Sequence, residues 1–145
     1  MDTEFNGFDG ELISIGIAPE TASLPMFYWV VEWSNDPHPW VAANVVPQLG
    51  QAPLPRDQVA RKLATYLWNA SGDGKPTLIA DWPADFKHVL DLLMIFPGQM
   101  VNTPDFNMEF RHPSSKARQS KVPHHALHDA IAMRDYYETL KHHPE

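Results

Sequence analysis

The sequence predicts a single α/β domain, a central mixed β-sheet flanked by α-helices, and three observations lead there. Residues 2–33 carry apolar and β-branched runs broken by turn dipeptides, the pattern of consecutive strands. Two later segments, 56–69 and 84–96, space their apolar residues at helical intervals and enclose a short apolar run between them. The third observation is bulk: 145 residues with 43% apolar content, 5 Trp, 7 Phe and 4 Tyr can bury a core of ordinary size. The resulting order of three strands, helix, strand, helix, irregular segment and helix is that of an α/β or α+β domain.

Taken from the N-terminus, Asn6-Gly7 and Asp9-Gly10 are turn dipeptides. They predict a hairpin with strands near 2–7 and 11–18, whose apolar residues are Phe5, Leu12, Ile13, Ile15 and Ile17. Met26-Phe27-Tyr28-Trp29-Val30-Val31 is aromatic and β-branched and predicts a third strand, with Pro19 and Pro25 bracketing the connection. Pro37, Pro39, Pro47, Pro53 and Pro55 punctuate the next stretch and leave room for a short helical turn from Trp40 to Val46. Pro55 then stands where a helix starts, with Val59, Leu63, Tyr66 and Leu67 near helical spacing, and Ser71-Gly72-Asp73-Gly74 ends it. Thr77-Leu78-Ile79-Ala80 reads as a short buried strand. The helix over 84–96 puts Phe86, Val89, Leu90, Leu93 and Met94 on one face, and Pro97-Gly98 stops it. Residues 99–121 are irregular apart from a short strand near 106–111, and Pro123 opens a last helix reaching about 141. No repeat, low-complexity tract or linker divides residues 1–145.

Composition excludes several classes. Without Cys there is no disulfide scaffold, no Cys-ligated zinc site and no Cys nucleophile. No apolar run approaches the roughly 18 residues of a membrane helix. No positive charge followed by an apolar stretch marks a secretory leader. The expected compartment is cytoplasmic, with no membrane contact. The net charge of −7 reflects 18 Asp and Glu against 11 Lys and Arg. Residues 1–55 hold all of that imbalance: Asp2, Glu4, Asp9, Glu11, Glu20, Glu32 and Asp36, with no Lys or Arg. Such acidity opposes a phosphate polymer as partner unless part of it is neutralised.

Three clusters of acids and histidines stand out. Asp2-Thr3-Glu4 places carboxylates at i and i+2, which on a strand point to one face. Like charges held there repel unless a cation neutralises them, and Mg²⁺ and Mn²⁺ favour oxygen ligands; solvated acids at an exposed strand start are the plainer alternative. Asp81-Trp82-Pro83-Ala84-Asp85 lies where a strand ends and a helix begins, a favoured place for a site and equally for helix-capping acids. His124-His125-Ala126-Leu127-His128-Asp129-Ala130 opens the last helix, with His124 and His128 on one face. This His pair alone would serve as half of a zinc site or as ordinary surface.

The chain order of the three clusters is more specific than any one of them. In that order the sequence resembles the DEDDh 3′-5′ exonucleases of the ribonuclease H-like superfamily. Asp2-Thr3-Glu4-Phe5 is similar to the first motif of that family, and Leu12-Ile13-Ser14-Ile15-Gly16 to its second strand. His124, Ala126, Asp129 and Ala130 match the third motif, His-x-Ala-x-x-Asp-Ala. Within the superfamily the chain is most similar to the small bacterial, mycobacterial-type 3′-5′ exoribonuclease group. That likeness is carried by Trp40-Val41, Asn44-Val45-Val46-Pro47, Leu49 and Arg134-Asp135. The sequence departs from the family in two places. Asp2 follows Met1 directly, where the family has several strand residues, and Asp85-Phe86 reverses the usual order of aromatic then Asp. Asp85 is the preferred middle acid because Phe86, Val89 and Leu90 follow it in the expected apolar helix, and Asp81 is the reserve.

The resemblance implies phosphodiester hydrolysis at a 3′ end with two divalent cations, Mg²⁺ or Mn²⁺. It implies Asp2, Glu4, Asp85 and Asp129 as metal ligands and His124 as general base, a task suited to imidazole. Phe5 and Asn6, directly after the first motif, would flank the terminal nucleotide. Arg111, Lys116, Arg118 and Lys121 would lie along the nucleic-acid backbone. Two bound cations would bring the formal charge from −7 to −3. RNA is favoured over DNA as the single-stranded partner by resemblance. Relatives of this type are often homodimers, for which Trp29, Trp33 or Trp40 would supply aromatic surface. Two competing classes are a non-catalytic nucleic-acid- or protein-binding module on the same fold and a metal-binding protein using His124, His128 and Asp129.

Overall fold

The fold begins with a meander whose register sets up everything that follows. In the computed structural model, which describes residues 1–72 and 74–143, β1 (Asp2–Phe5) pairs antiparallel with β2 (Leu12–Ile17), and β2 with β3 (Phe27–Val30). Between β1 and β2 the chain reverses through Gly7 at φ 75° and Asp9 at φ 56°, the left-handed region that Gly and Asp tolerate best. Glu4 faces Ser14 but Phe5 faces Leu12, so Ile13 is an extra residue in the ladder. This bulge puts Ile13 on the face opposite to Leu12, Ile15 and Ile17 and lets both faces of β2 be apolar. Every residue of β2 is accordingly buried.

Each face of the meander is covered by helices. On one, Ile15 and Ile17 pack with Val59, Leu63 and Leu67 of α2 (Arg56–Ala70) and Val89, Leu92 and Leu93 of α3 (Pro83–Leu93). On the other, Ile13 and Val30 pack with Val41 of α1 (Pro39–Asn44), Val45 just after it, and Leu49 beyond a 3-10 turn over Val46–Gln48. The last helix, α4 (Ala126–His142), crosses this second face at Gly16. A Cβ on Gly16 would stand 2.4 Å from the Leu127 nitrogen and 2.6 Å from the Ala126 oxygen, so only glycine admits the helix this close.

A second pair of strands, β4 (Thr77–Ala80) and β7 (Asn107–Phe110), is parallel. The Met1 ammonium donates to the Ile79 carbonyl at 2.7 Å and ties the start of β1 to β4. The result is a mixed α/β architecture in which, among the described residues, four α-helices accompany three sheets. No described helix is long and apolar enough to cross a membrane.

Two expectations about elements are corrected. The helix predicted over 84–96 ends at Leu93, and Met94–Phe96 forms β5, which pairs with β6 (Gln99–Met100). Pro97-Gly98, expected only to stop a helix, makes the turn of this hairpin, with Gly98 at φ 74°. The last helix starts at Ala126 rather than at Pro123, because His124 takes a left-handed φ of 65° that breaks helical geometry. His124 and His128 therefore do not share a helix face. Of the turn predicted over 71–74, Asp73 lies outside the described residues.

Candidate functional site

Beside β1 and the end of β4 lies a cavity of about 260 Å³. Asp2, Glu4, Asp81, Asp85, His124 and Asp129 all line it, although they come from three separate stretches of chain. Asp2 and Glu4 arrive on one face of β1 by strand alternation, opposite Gly16 and Ser14 of β2. Asp129 lies in the first turn of α4, which the bare Gly16 brings against the same face. Asp85 lies in the first turn of α3, and Asp81 follows β4 directly. A ligand atom from each of Glu4, His124 and Asp129 can be chosen so that all three lie within 4.8 Å of one another.

Local hydrogen bonds hold these groups. Asp85 Oδ1 accepts the Thr3 backbone N–H at 3.2 Å and the Thr3 hydroxyl at 2.6 Å, and both residues are buried. Asp129 Oδ2 accepts the backbone N–H of His124 at 3.0 Å. This bond steadies the left-handed residue and suits an acid in a helix's first turn. The ring of Trp40 meets the His124 imidazole edge-on, with centroids 4.8 Å apart.

The acids have little to balance them. Burial pushes Glu4 up to about 8, with Asp129 and Asp85 adding to the shift. Asp85 is pushed up to about 6 by burial, against the pull of its Thr3 hydrogen bonds. Burial raises Asp2 well above the usual carboxylate range, reinforced by Asp85, Glu4 and Asp129, and burial also raises Asp129. Asp2 Oδ2 and Asp85 Oδ2 are buried without a hydrogen-bond partner. Unsatisfied carboxylate oxygens of this kind, in a cavity with three further acids and one imidazole, fit hard divalent cations such as Mg²⁺ or Mn²⁺.

The predicted substrate contacts divide. Phe5 and Arg118 line the cavity. Asn6 does not; its side chain accepts from the His38 N–H at 2.7 Å and donates to the Asp36 carbonyl at 3.0 Å, bracing the loop before α1. Arg111 is drawn away by Glu109 at 2.7 Å and by the Tyr137 ring, 4.5 Å from its guanidinium carbon. Lys116 borders a different hollow with Gln119 and Tyr136, and Lys121 is exposed outside the acid-lined cavity. His128 meets the His125 ring edge-on, with centroids 4.8 Å apart, and Glu4, rather than His128, completes the cluster with His124 and Asp129. Trp29 lies beneath the Lys62 ammonium at 4.4 Å and Trp33 packs on the α1 core, which leaves Trp40 the most open of the three tryptophans named for an interface.

Sequence reasoning missed Thr3, Trp82 and the Trp40–His124 contact. Thr3 was visible as the residue that strand alternation turns to the face opposite its two flanking acids, and Trp82 as the residue between Asp81 and Pro83. Nothing local pairs Trp40 with a histidine 84 positions later.

Comparison with known proteins returns no matching family model, no matching curated sequence and no matching solved structure.

Proposed function

We propose that this chain is a DEDDh-type 3′-5′ exonuclease on a ribonuclease H-like fold, most similar to the small bacterial, mycobacterial-type 3′-5′ exoribonucleases. It hydrolyses the terminal phosphodiester of single-stranded nucleic acid, RNA in preference to DNA. The observation that carries this reading is the convergence of Asp2, Glu4, Asp85, His124 and Asp129 on one cavity. An antiparallel meander covered by helices on both faces, with the parallel pair β4–β7 as a separate sheet in place of the single mixed sheet expected, is compatible with it.

Asp2, Glu4, Asp85 and Asp129 would hold two divalent cations, Mg²⁺ or Mn²⁺. When bound, the ions supply charge stabilisation at the phosphodiester and acidify a water. The chain's own groups do the rest. His124 is exposed at the cavity and takes the proton of the attacking water on its imidazole, whose reach is set by Trp40 on one side and Asp129 on the backbone side. Thr3 keeps Asp85 oriented, and Phe5 offers an apolar wall for the terminal nucleotide. Arg118 brings positive charge to the substrate phosphates.

The test is incubation of end-labelled single-stranded RNA and DNA with Mg²⁺, with Mn²⁺ and with EDTA. The expected outcome is a ladder shortened from the 3′ end, stronger with RNA and abolished by EDTA. Cleavage indifferent to EDTA, or none with either cation, defeats the reading and favours a binding module. The tight grouping of Glu4, His124 and Asp129 favours a second reading, a one-ion centre with a mixed oxygen and nitrogen set. Dependence on zinc in place of magnesium separates that reading from the first.

A further inference from the structure

Trp82 contributes nothing to either core cluster, yet its position is specified. It joins β4 to α3 in extended conformation, φ −132° and ψ 129°. Asp81 before it is turned inward at 8% exposure, so strand alternation turns the Trp82 indole outward, where it is 48% exposed. The indole lines the acid cavity, and the Arg118 guanidinium carbon stands 5.8 Å from its ring centroid. Of the four cations between residues 111 and 121, Arg118 alone lines that cavity. Among the described residues it makes no ion pair.

An exposed indole beside a free guanidinium, both on the wall of an anionic cavity, has the makings of a nucleotide grip. The cation approaches one face of the ring, and an indole has a second face for a ligand. An aromatic face accepts any nucleobase by stacking, but only a base that is neither paired nor stacked in a duplex. The guanidinium matches phosphate oxygens in shape and charge.

We propose that Trp82 is a nucleobase-stacking platform and that Arg118 is its phosphate-binding partner. The cavity therefore takes a nucleotide with a free base, whatever its identity. This proposal rests on the phosphodiesterase reading for its class of substrate, but its test does not depend on turnover.

The probes are adenosine 5′-monophosphate and ribose 5-phosphate, titrated calorimetrically into the full chain in Mg²⁺. The wild type should bind the base-bearing ligand about tenfold tighter or more. Trp82→Ala should bring that ratio close to one, and Trp82→Phe should keep most of it. Arg118→Ala should weaken both ligands by a similar factor. Equal affinity for the two ligands in the wild type, no measurable nucleotide binding, or an unchanged ratio in Trp82→Ala overturns the platform. Unaltered ribose 5-phosphate affinity in Arg118→Ala overturns its phosphate role. A chain that binds the nucleotide through Trp82 yet cleaves no labelled strand loses the exonuclease reading and keeps this one; a chain that cleaves the strand yet binds the two probes equally does the reverse.

Discussion

Thr3 gives both its backbone N–H and its hydroxyl to one oxygen of Asp85, at 3.2 and 2.6 Å, and leaves the other oxygen unpartnered in the cavity. The strand that carries two acids thereby aims the third, which belongs to a helix 82 residues away. Thr3→Val keeps the branched shape and deletes the hydroxyl. A lost hydrogen bond to a charged buried group costs roughly 1.5–3 kcal/mol. Urea denaturation should show a midpoint lowered to match, and an unchanged midpoint would mean the bond contributes nothing.

Asp81 and Asp85 both line the cavity, but only Asp85 is tied to β1. Asp85→Asn should therefore abolish cation-dependent cleavage, while Asp81→Asn reduces it by less than about tenfold. Steady-state rates of the two variants on labelled RNA decide this. The reverse ranking would make Asp81 the middle acid.

The raised acids set a pH dependence with a definite sign. Glu4 moves from 4.5 to about 8 and Asp85 from 3.8 to about 6 on folding. Between about pH 4 and pH 8 the folded chain thus holds protons that the unfolded chain has released. Stability in EDTA should fall as pH rises through that window and level off above it. Mg²⁺ or Mn²⁺ binds the ionised acids, so its stabilisation should be larger near pH 8 than near pH 5. Melting temperatures in EDTA and in cation check both statements. Asp2→Asn should raise the EDTA value near pH 8 and remove most of the gain from cation.

His124 and Asp129 should fail differently. Asp129→Ala removes a proposed ligand and should abolish cleavage while circular dichroism still reports a folded chain. His124→Ala should slow turnover by about 10²–10⁴-fold with cation affinity changed far less. Calorimetry beside single-turnover kinetics separates the two. Lost cation affinity with normal turnover at saturating cation would remove His124 from the role of base.

Gly16 admits α4, and through it Asp129, to the acid-bearing face of the meander. Gly16→Ala forces a backbone shift, because the new Cβ would meet Leu127 and Ala126 main-chain atoms at 2.4–2.6 Å. Overpacking of this kind costs about 1–3 kcal/mol. Thermal melting should show the loss, accompanied by weaker cation binding as Asp129 is displaced. A variant equal to wild type in both would show that the contact yields freely.

Much of this was legible locally. The strand alternation of Asp2 and Glu4, the short strand Thr77–Ala80 and the helix near 56–69 each follow from periodicity and from Gly and Pro punctuation. Where local signals compete, reading fails. Met94-Ile95-Phe96 continues a helical apolar pattern, but Pro97-Gly98 turns it into a hairpin. The basic stretch 111–121 looks uniform in sequence, yet Glu109 and Tyr137 draw Arg111 away and only Arg118 reaches the cavity. Asn6 follows the first acids directly, yet its amide braces the Asp36–His38 loop.

By itself the sequence determined which residue types are present, their order and their local geometry: alternating acids on a strand, an acid opening each of two helices, and a histidine five residues before the last acid. Those are short-range consequences of backbone periodicity. Which side chains share one cavity was decided only in three dimensions. The Ile13 bulge makes both faces of β2 apolar, and the bare Gly16 surface and the Thr3–Asp85 bond place segments more than 80 residues apart against each other. The energies that select those contacts are close packing and the satisfaction of buried polar groups, and neither is a property of any local stretch of chain.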